Sequence, residues 1–413
     1  MEYEEQIRYL DTALQLYLPS AVSNCRYIID TKNEISNIDS DYAFSIQFYL
    51  DKKRREHIVF YKKNMTIFEK EFLKKFIYGL SLFFVKDTPA FFINHIARHC
   101  VFYAVATSLS SDKNAGSGYF FLSTFGEWAS QTYEGSPICH SIGFSHSNGY
   151  GNSFCTDVFK EDFFKVLTSG HDTILVCDGD SRPIAYEPLF EPHDVERLIS
   201  PVHFNSLASW SLDNDFAIAL NRNGEILCFK NGSLAFAYRR GLWIGFSHEA
   251  YIKGMSEDGG CDSDLCRALY LTMLDVSFRR TGGCLGLLPS SRKEEYAELI
   301  GKQDRFTEDS GSDKSRFLKA ILKKYERFQD IPRKLRQELV GIDGATIVDE
   351  TGKLLCVGAI LHIRGGSTGG GGRTAAAKAI AEYGLGIKIS NDGKIQYWKE
   401  GETGDEEPVY TIG

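Results

Sequence analysis

The segment GGSTGGGGRTAAAKAIAEYG, residues 365–384, constrains the fold more than any other stretch of this 413-residue chain. Six glycines occupy its first eight positions, and an alanine-rich run of high helix propensity follows at once. Glycine loses more chain entropy on ordering than any other residue, so the tract is expected where backbone must approach something closely. Upstream, ATIVDETGKLLCVGAIL (345–361) reads as strand, turn, strand; downstream, AAAKAIAEY is closed by Gly384. The tract therefore joins a strand ending near His362 to the start of a helix. A helix start leaves N–H groups unsatisfied and carries the positive end of the dipole. Without Cβ atoms a ligand can reach that main chain, and Arg373 adds a forked cation suited to phosphate. The expected feature is an anion-binding concavity formed by Gly369, Gly370, Gly371, Gly372, Arg373 and Thr374. A flexible linker and a ligand-free structural turn are the competing readings; the position between a strand and a capped helix weighs against the linker. The Walker pattern is not met, because Ser367 takes its first glycine position and Arg373 its lysine position.

A second element lies upstream in GIDGATIVDETGKLL (341–355), where Asp343-Gly344-Ala345 opens a strand. An acid at a strand mouth beside a phosphate loop can hold Mg²⁺ or a sugar hydroxyl. Taken alone, Asp-Gly before a strand is also an ordinary turn.

The rest of the chain reads as ordinary globular material, 43% hydrophobic and 25% charged, and its length suggests two domains. The first is expected over 1–200 and the second over 201–413, with the boundary in the proline-bearing, aperiodic stretch 188–210. MEYEEQIRYLDTALQLYL reads as an acidic amphipathic helix. DYAFSIQFYL and EHIVFYK alternate as strands, and TIFEKEFLKKFIYGLSLFF and FFINHIARHCVFYAVATSL read as helices. SSDKNAGSG and GSPICHSIGFSHSNGYGNSF read as loops, and DTILVCDGDSRPIAYEPLF as a strand pair. In the second half, Asn-Gly at 223–224 and 231–232 marks hairpins. DSDLCRALYLTMLDVSFRRTGG is a helix capped by Asp262 or Ser263 and closed by Gly282 or Gly283, and CLGLLP is a buried strand. KEEYAELIG, SDKSRFLKAILKKYERF and IPRKLRQELVG read as helices, and LGIKISNDGKIQYW as a hairpin. The expected class is α/β in the mixed α+β sense: a central mixed sheet flanked by helices in the second domain, and an aromatic-rich α/β regulatory or interaction domain before it.

Together, Asp343-Gly344-Ala345 and Gly371-Gly372-Arg373-Thr374-Ala375-Ala376-Ala377 resemble the catalytic domain of the diadenylate cyclases, the family of the bacterial DNA-integrity scanning cyclase. That family has Asp-Gly-Ala at a strand start and, later, a Gly-Thr-Arg-His-Arg-Ala-Ala loop opening a helix. FRRTGGCLGLL (278–288) resembles its helix-to-strand entry, and the resemblance covers roughly residues 205–400. It implies a nucleotide-binding domain in which Asp343 serves the metal, Mg²⁺ or Mn²⁺, and the attacking 3′-hydroxyl. Gly344, Ala345, Gly369, Gly370, Gly371, Gly372, Arg373 and Thr374 would hold the nucleotide, with Arg373 on the triphosphate. Thr374 and Ala375 replace the family's histidine and second arginine, so this chain looks like a divergent branch; His362, Arg364 and Lys378 are possible substitutes. The implied function is a nucleotidyltransferase joining nucleoside triphosphates into a di- or cyclic dinucleotide signal, in a self-associating cytoplasmic protein of bacterial antiviral defence. The alternative is a catalytically inactive sensor that binds a nucleotide or cyclic dinucleotide and regulates an effector partner.

Other partners are disfavoured. The net charge is −8, and DKKRREH (51–57) is the one dense basic run, so no duplex nucleic acid is expected. No apolar run is long enough to span a membrane. The ten cysteines are scattered without a CxxC pair and read as reduced thiols of a cytoplasmic protein. His95 and His99 share a helix face and fit structural histidines better than metal ligands, and the Cys/His-bearing stretch 139–155 matches no zinc spacing well. CDGD at 177–180 reads as a turn that echoes Asp343-Gly344, a weak hint of an internal repeat.

Overall fold

A computed structural model describes the chain except for residues 1–2, 23–24, 33–36, 52–53, 64, 84–89, 111–114, 146–155, 194, 196, 307–311, 364–370 and 400–407. Two compact units result, residues 1–247 and 248–413. The expected boundary near 200 is displaced because strands on either side of it share one sheet: the strand at 140–144 pairs with that at 216–220.

In the first unit, α1 (Tyr3–Ala21) precedes an antiparallel sheet of β1 (Arg26–Asp30), β2 (Ala43–Asp51) and β3 (Arg54–Tyr61), ordered β1-β3-β2. Helices α2 (Ile67–Phe83), α3 (Ala90–Leu109) and α4 (Ala115–Trp128) follow, then a small hairpin of β4 (Thr132–Tyr133) and β5 (Ser136–Pro137). The main sheet comprises β6 (His140–Phe144), β7 (Thr173–Cys177), β8 (Pro183–Pro188), β9 (Phe216–Leu220), β10 (Ile226–Lys230), β11 (Ser233–Arg239) and β12 (Leu242–Gly245). Its order is β12-β11-β10-β9-β6-β7-β8, and α5 (Asn205–Trp210) leads into β9. One apolar cluster runs from Leu10 to Trp243, which absorbs the phenylalanine content of this half.

Two segments read as loops are elements here. Residues 115–118 begin α4, whose Ala115, Ser117 and Gly118 are buried. His140–Phe144 is a central, fully buried strand. His140 packs among Phe125, Trp128 and Phe164, and burial lowers its pKa to about 3, so it is a neutral core residue. His99 bonds the Tyr119 hydroxyl through Nδ1 (2.7 Å) and packs edge-on against His95, as expected for structural histidines.

The second unit contains α6 (His248–Gly259), α7 (Ser263–Arg279), β13 (Gly283–Leu288), α8 (Asp313–Leu322), α9 (Arg333–Gly341), β14 (Ala345–Asp349), β15 (Leu354–Ala359), α10 (Gly372–Ala381), β16 (Leu385–Ile389), β17 (Ile395–Lys399) and β18 (Tyr410–Ile412). Its sheet runs β15-β14-β13-β16-β17-β18; β13 and β14 are parallel and the other pairs antiparallel. The fold is mixed α+β, and the second unit has the expected central mixed sheet. KEEYAELIG, read as a helix, forms turns instead; it lies between a 3-10 turn at Ser290–Arg292 and one at Lys302–Asp304.

Capping chemistry sets α7. Asp262 accepts from the Leu265 amide at 2.7 Å, and the helix closes at Arg280 in the left-handed region (φ 64°) rather than at a glycine. Cys261 and Cys266 sit across this helix start with Cα atoms 6.6 Å apart and form a disulfide. The expectation of reduced thiols throughout is therefore corrected, and with it the argument from thiols to a reducing compartment. No helix among the described residues is long and apolar enough to cross a membrane.

Two contacts place the start of β14. The guanidinium of Arg333, on α9, donates to both carboxylate oxygens of Asp275, on α7, at 2.7 Å each, and both side chains are buried. Helix α9 also packs over Gly283, where an added Cβ would lie 2.7 Å from the Val340 carbonyl oxygen. The chain leaving α9 consequently enters the sheet at a defined point, Asp343. On the other side of β13, α10 lies against bare sheet: a Cβ at Gly386 would be 1.7 Å from the Ala377 carbonyl oxygen.

Gly386→Ala should lower stability by about 3 kcal/mol or more, because backbone rather than a movable side chain meets the methyl. Gly372→Ala, where an added Cβ meets nothing within 4 Å, should be neutral or stabilising by up to about 1 kcal/mol. Urea titration of both variants checks this; equal effects would contradict the packing described.

Candidate functional site

Three backbone approaches assemble a cavity at the end of the second sheet. At β14, Gly344 has φ 103°, and a Cβ there would lie 2.5 Å from the Gly358 carbonyl carbon. Gly358, with φ 59°, is in the left-handed region. The Lys314 ammonium bonds the Gly358 carbonyl oxygen and pairs with Asp304 at 2.9 Å, while Asp304 accepts the Ile360 amide at 3.2 Å. This set fixes the irregular end of β15 against the Asp343 mouth.

Gly371 is the N-cap of α10 and offers no side-chain cap to the helix's first amides. An added Cβ at Gly371 or Gly372 would meet nothing within 4 Å among the described residues, so this helix start stands clear of them. Arg373 donates through Nη1 to the Asn391 side-chain oxygen, in the turn between β16 and β17. Both lie over Gly282 (φ 69°), where a Cβ would sit 2.4 Å from Arg373 Nη1 and 2.2 Å from Asn391 Oδ1. Gly282, expected to close α7, instead makes room for the guanidinium.

The cavity has a volume of about 590 Å³. Of the residues singled out in the sequence, Asp343, Gly344, Ala345, Gly371, Gly372, Arg373 and Thr374 all line it. Gly369, Gly370 and Arg364 lie outside the described residues. His362 and Lys378 are not among the lining residues.

Several lining residues were not anticipated. Cys284 and Lys388 are cross-strand partners on the floor, and Gly286 and Gly386, two residues further along, are partners beneath α10. Lys388 therefore stands on the helix-covered face of the sheet just where the helix has not yet begun. A lysine in the otherwise apolar strand LGIKI, on the parity of its glycine, was the available signal. Ala359, Ile360, Leu361, Ile363 and Ala376 add apolar wall, while Ser390 and Asn391 complete the rim. A single exposed carboxylate, two cations, a bare helix start and an apolar wall share a volume in the range of small-molecule sites.

Among the described residues no group of three His, Cys, Asp or Glu could hold a metal. A divalent ion here would have Asp343 as its one protein carboxylate and depend on ligand oxygens for the rest, a division that suits Mg²⁺ and its reluctance to shed water.

No family model and no curated protein matches this chain. Among solved structures, a crystal structure of DacA from Staphylococcus aureus, a double mutant, is similar over 35% of this chain and 89% of that chain, at 17% identity and a TM-score of 0.23.

Burial pushes the Cys284 thiol up to about 12, with Arg373 pulling the other way. Its unfolded value is lower, so its contribution to stability is complete below about pH 9 and is lost as pH rises toward 12. Cys284→Ser should flatten the alkaline fall in melting temperature over that window; an unchanged slope would show that the thiol does not sense the buried floor.

Proposed function

We propose that the second unit binds a nucleoside triphosphate and acts as a divergent nucleotidyltransferase that forms a dinucleotide signal. The observation that carries this reading is the shared cavity: Asp343 and the Gly371–Thr374 helix start line the same 590 Å³ space. The main-chain amides at Gly371 and Gly372 and the Arg373 guanidinium would receive the phosphates, with Lys388 as a second cation. The apolar wall at Ile360, Leu361 and Ile363 would take the base.

A bound Mg²⁺ or Mn²⁺ would neutralise phosphate charge and lower the pKa of the attacking hydroxyl. Asp343 would orient a 3′-hydroxyl and accept its proton. The hydroxyl oxygen forms a bond to the α-phosphorus as the bond to the leaving pyrophosphate breaks. A cavity of this size holds one nucleotide, so joining two requires a second copy of the domain.

One feature of the chain favours a second reading, a sensor. Thr374 and Ala375 stand where the resembled family has a histidine and an arginine, which removes charge stabilisation from the transition state. A sensor needs the phosphate-binding helix start but not the carboxylate.

Incubation with nucleoside triphosphates and Mg²⁺ or Mn²⁺, read by mass spectrometry, separates the two. The enzyme reading expects a new phosphodiester product that vanishes in Asp343→Asn. The sensor reading expects intact triphosphate with saturable binding. In both, Arg373→Ala should weaken triphosphate binding by about 10- to 100-fold, the effect of losing a charge-assisted hydrogen bond. A wild-type chain whose melting temperature does not move with millimolar nucleotide would sink both.

A further inference from the structure

The two units contain the same sheet. In the first, β6 is parallel to β7 and antiparallel to β9, β7 is antiparallel to β8, and β9 to β10. In the second, β13 stands in the same relation to β14 and β16, as do β14 to β15 and β16 to β17.

The registers coincide residue by residue. Gly143 pairs with Val176 and Ala217, and Gly286 pairs with Ile347 and Gly386. Each of these two glycines lies beneath the helix that leads into the next strand: an added Cβ would meet Trp210 of α5 at Gly143 and Ile380 of α10 at Gly286.

Two turns match down to their hydrogen bonds. Asp178 Oδ1 accepts the Asp180 and Arg182 amides, at 2.9 Å each, and Asp349 Oδ1 accepts those of Thr351 and Lys353, at 2.9 and 3.0 Å. The Asn221 amide donates to the Glu225 carbonyl at 3.0 Å, and the Ser390 amide to the Lys394 carbonyl at 2.8 Å. Gly224 and Gly393 hold the same left-handed position in these turns (φ 70° and 85°).

Counting along these registers puts Asp172 on Asp343, Arg222 on Asn391 and Thr173 on Gly344. Two turns upstream of Trp210 lies His203, as Arg373 lies two turns upstream of Ile380. The equivalent of the Arg373–Asn391 pair is thus His203 with Arg222, with the guanidinium moved from the helix to the turn. Pro201 and Val202 replace Gly371 and Gly372, so the bare amides suited to polyphosphate are gone.

The site is rebuilt around imidazoles. The rings of His171 and His203 are in contact, with centroids 4.2 Å apart and planes tilted by 32°. His171 Nδ1 faces the Ser169 carbonyl oxygen at 3.1 Å and Nε2 faces the Asp172 carboxylate at 3.0 Å, which fixes the ring in place beside His203. Arg222 reaches His203 electrostatically and also the Cys139 side chain. Burial, then His171 and Arg222, lower the His203 pKa, while Asp172 opposes them.

We propose that this copy is a second ligand site, which takes a single phosphate group, as in a nucleoside monophosphate or a phosphodiester, between His203 and Arg222. The location of the site rests on the reading of its counterpart given above; the groups that bind do not. An anion there offsets the Arg222 charge and the burial that hold the His203 pKa down, so binding draws a proton onto His203 and strengthens as pH falls.

The test uses the full chain and AMP, with calorimetric stoichiometry and affinity at pH 6 and pH 8, on wild type, Arg373→Ala, and Arg373→Ala combined with His203→Ala or with Arg222→Ala. His203 packs on His171 and Phe204 and Arg222 reaches Cys139, so the melting temperature of every variant is recorded beside its affinity. The proposal expects Arg373→Ala to retain one AMP site that is tighter at pH 6. It also expects His203→Ala or Arg222→Ala, added to Arg373→Ala, to weaken that site by about 10-fold or more. Binding wholly lost in Arg373→Ala, or retained unchanged when His203 or Arg222 is removed, overturns it. If instead the proposed function of the second unit is wrong, wild type and Arg373→Ala bind the same single AMP and only the His203 and Arg222 variants lose it.

Discussion

The candidate site depends on how closely α10 lies on the sheet. With the Ala377 carbonyl oxygen only 1.7 Å from where a Gly386 Cβ would stand, helix and strand touch backbone to backbone. Gly286, the cross-strand partner of Gly386, leaves the adjoining patch bare for Ile380. Side-chain packing normally holds a helix about 10 Å from a sheet face and lets it shift by repacking. Here the contact is main chain, which repacking does not alter. The helix start is therefore fixed relative to Lys388 and Cys284, and the same device at Gly344 and Gly358 fixes Asp343. A site positioned by backbone in this way tolerates change in the side chains around it.

Much of this was legible in the sequence because it is local. The Asn-Gly and Asp-Gly turns, the alternation in β2 and β3 and the capped α7 all depend on neighbours within a few residues. The link between Asp343 and the Gly371–Thr374 segment was also legible, since a strand mouth and a helix start after a hairpin on that strand fall at one end of a sheet. What failed was non-local. The start of α4 carries two glycines that propensity assigns to a loop, yet Gly118 is needed small, 3.1 Å from Phe216 as an added Cβ would be. KEEYAELIG has helical spacing, but Tyr296, Leu299 and Ile300 reach the core from turns. Lys388 was passed over because a lone lysine in a strand usually marks a solvated edge.

The repeat was barely legible for a related reason. Within a buried strand almost any apolar residue serves, so ILVC and ATIV, or FAIAL and LGIKI, keep a pattern without keeping identity. What persists is what geometry demands: a glycine under a helix at 143 and 286, an aspartate whose side chain closes the turn at 178 and 349, and a glycine at positive φ at 224 and 393. Asp178-Gly179 echoed Asp343-Gly344 by composition, but the true counterpart of Asp343 is Asp172, hidden in a stretch with no glycine after it.

The charges in the second unit argue for a ligand more directly than its shape does. Asp343 and Arg373 line one cavity, yet Arg373 is held by the neutral Asn391, and no ion pair joins Arg373 to the carboxylate among the described residues. A direct pair between exposed groups would be worth only about 0–1 kcal/mol, so little is lost by keeping them apart. Held apart, each keeps its own chemistry: a guanidinium whose one bond among the described residues is to Asn391, and an acceptor-only carboxylate. A ligand that fits both must present anionic oxygens to one side and a hydroxyl or a cation to the other. Under the proposed function a phosphorylated nucleoside would meet both, with phosphates at one end, a ribose hydroxyl or a bound cation at the other, and a base whose flat faces suit the apolar wall.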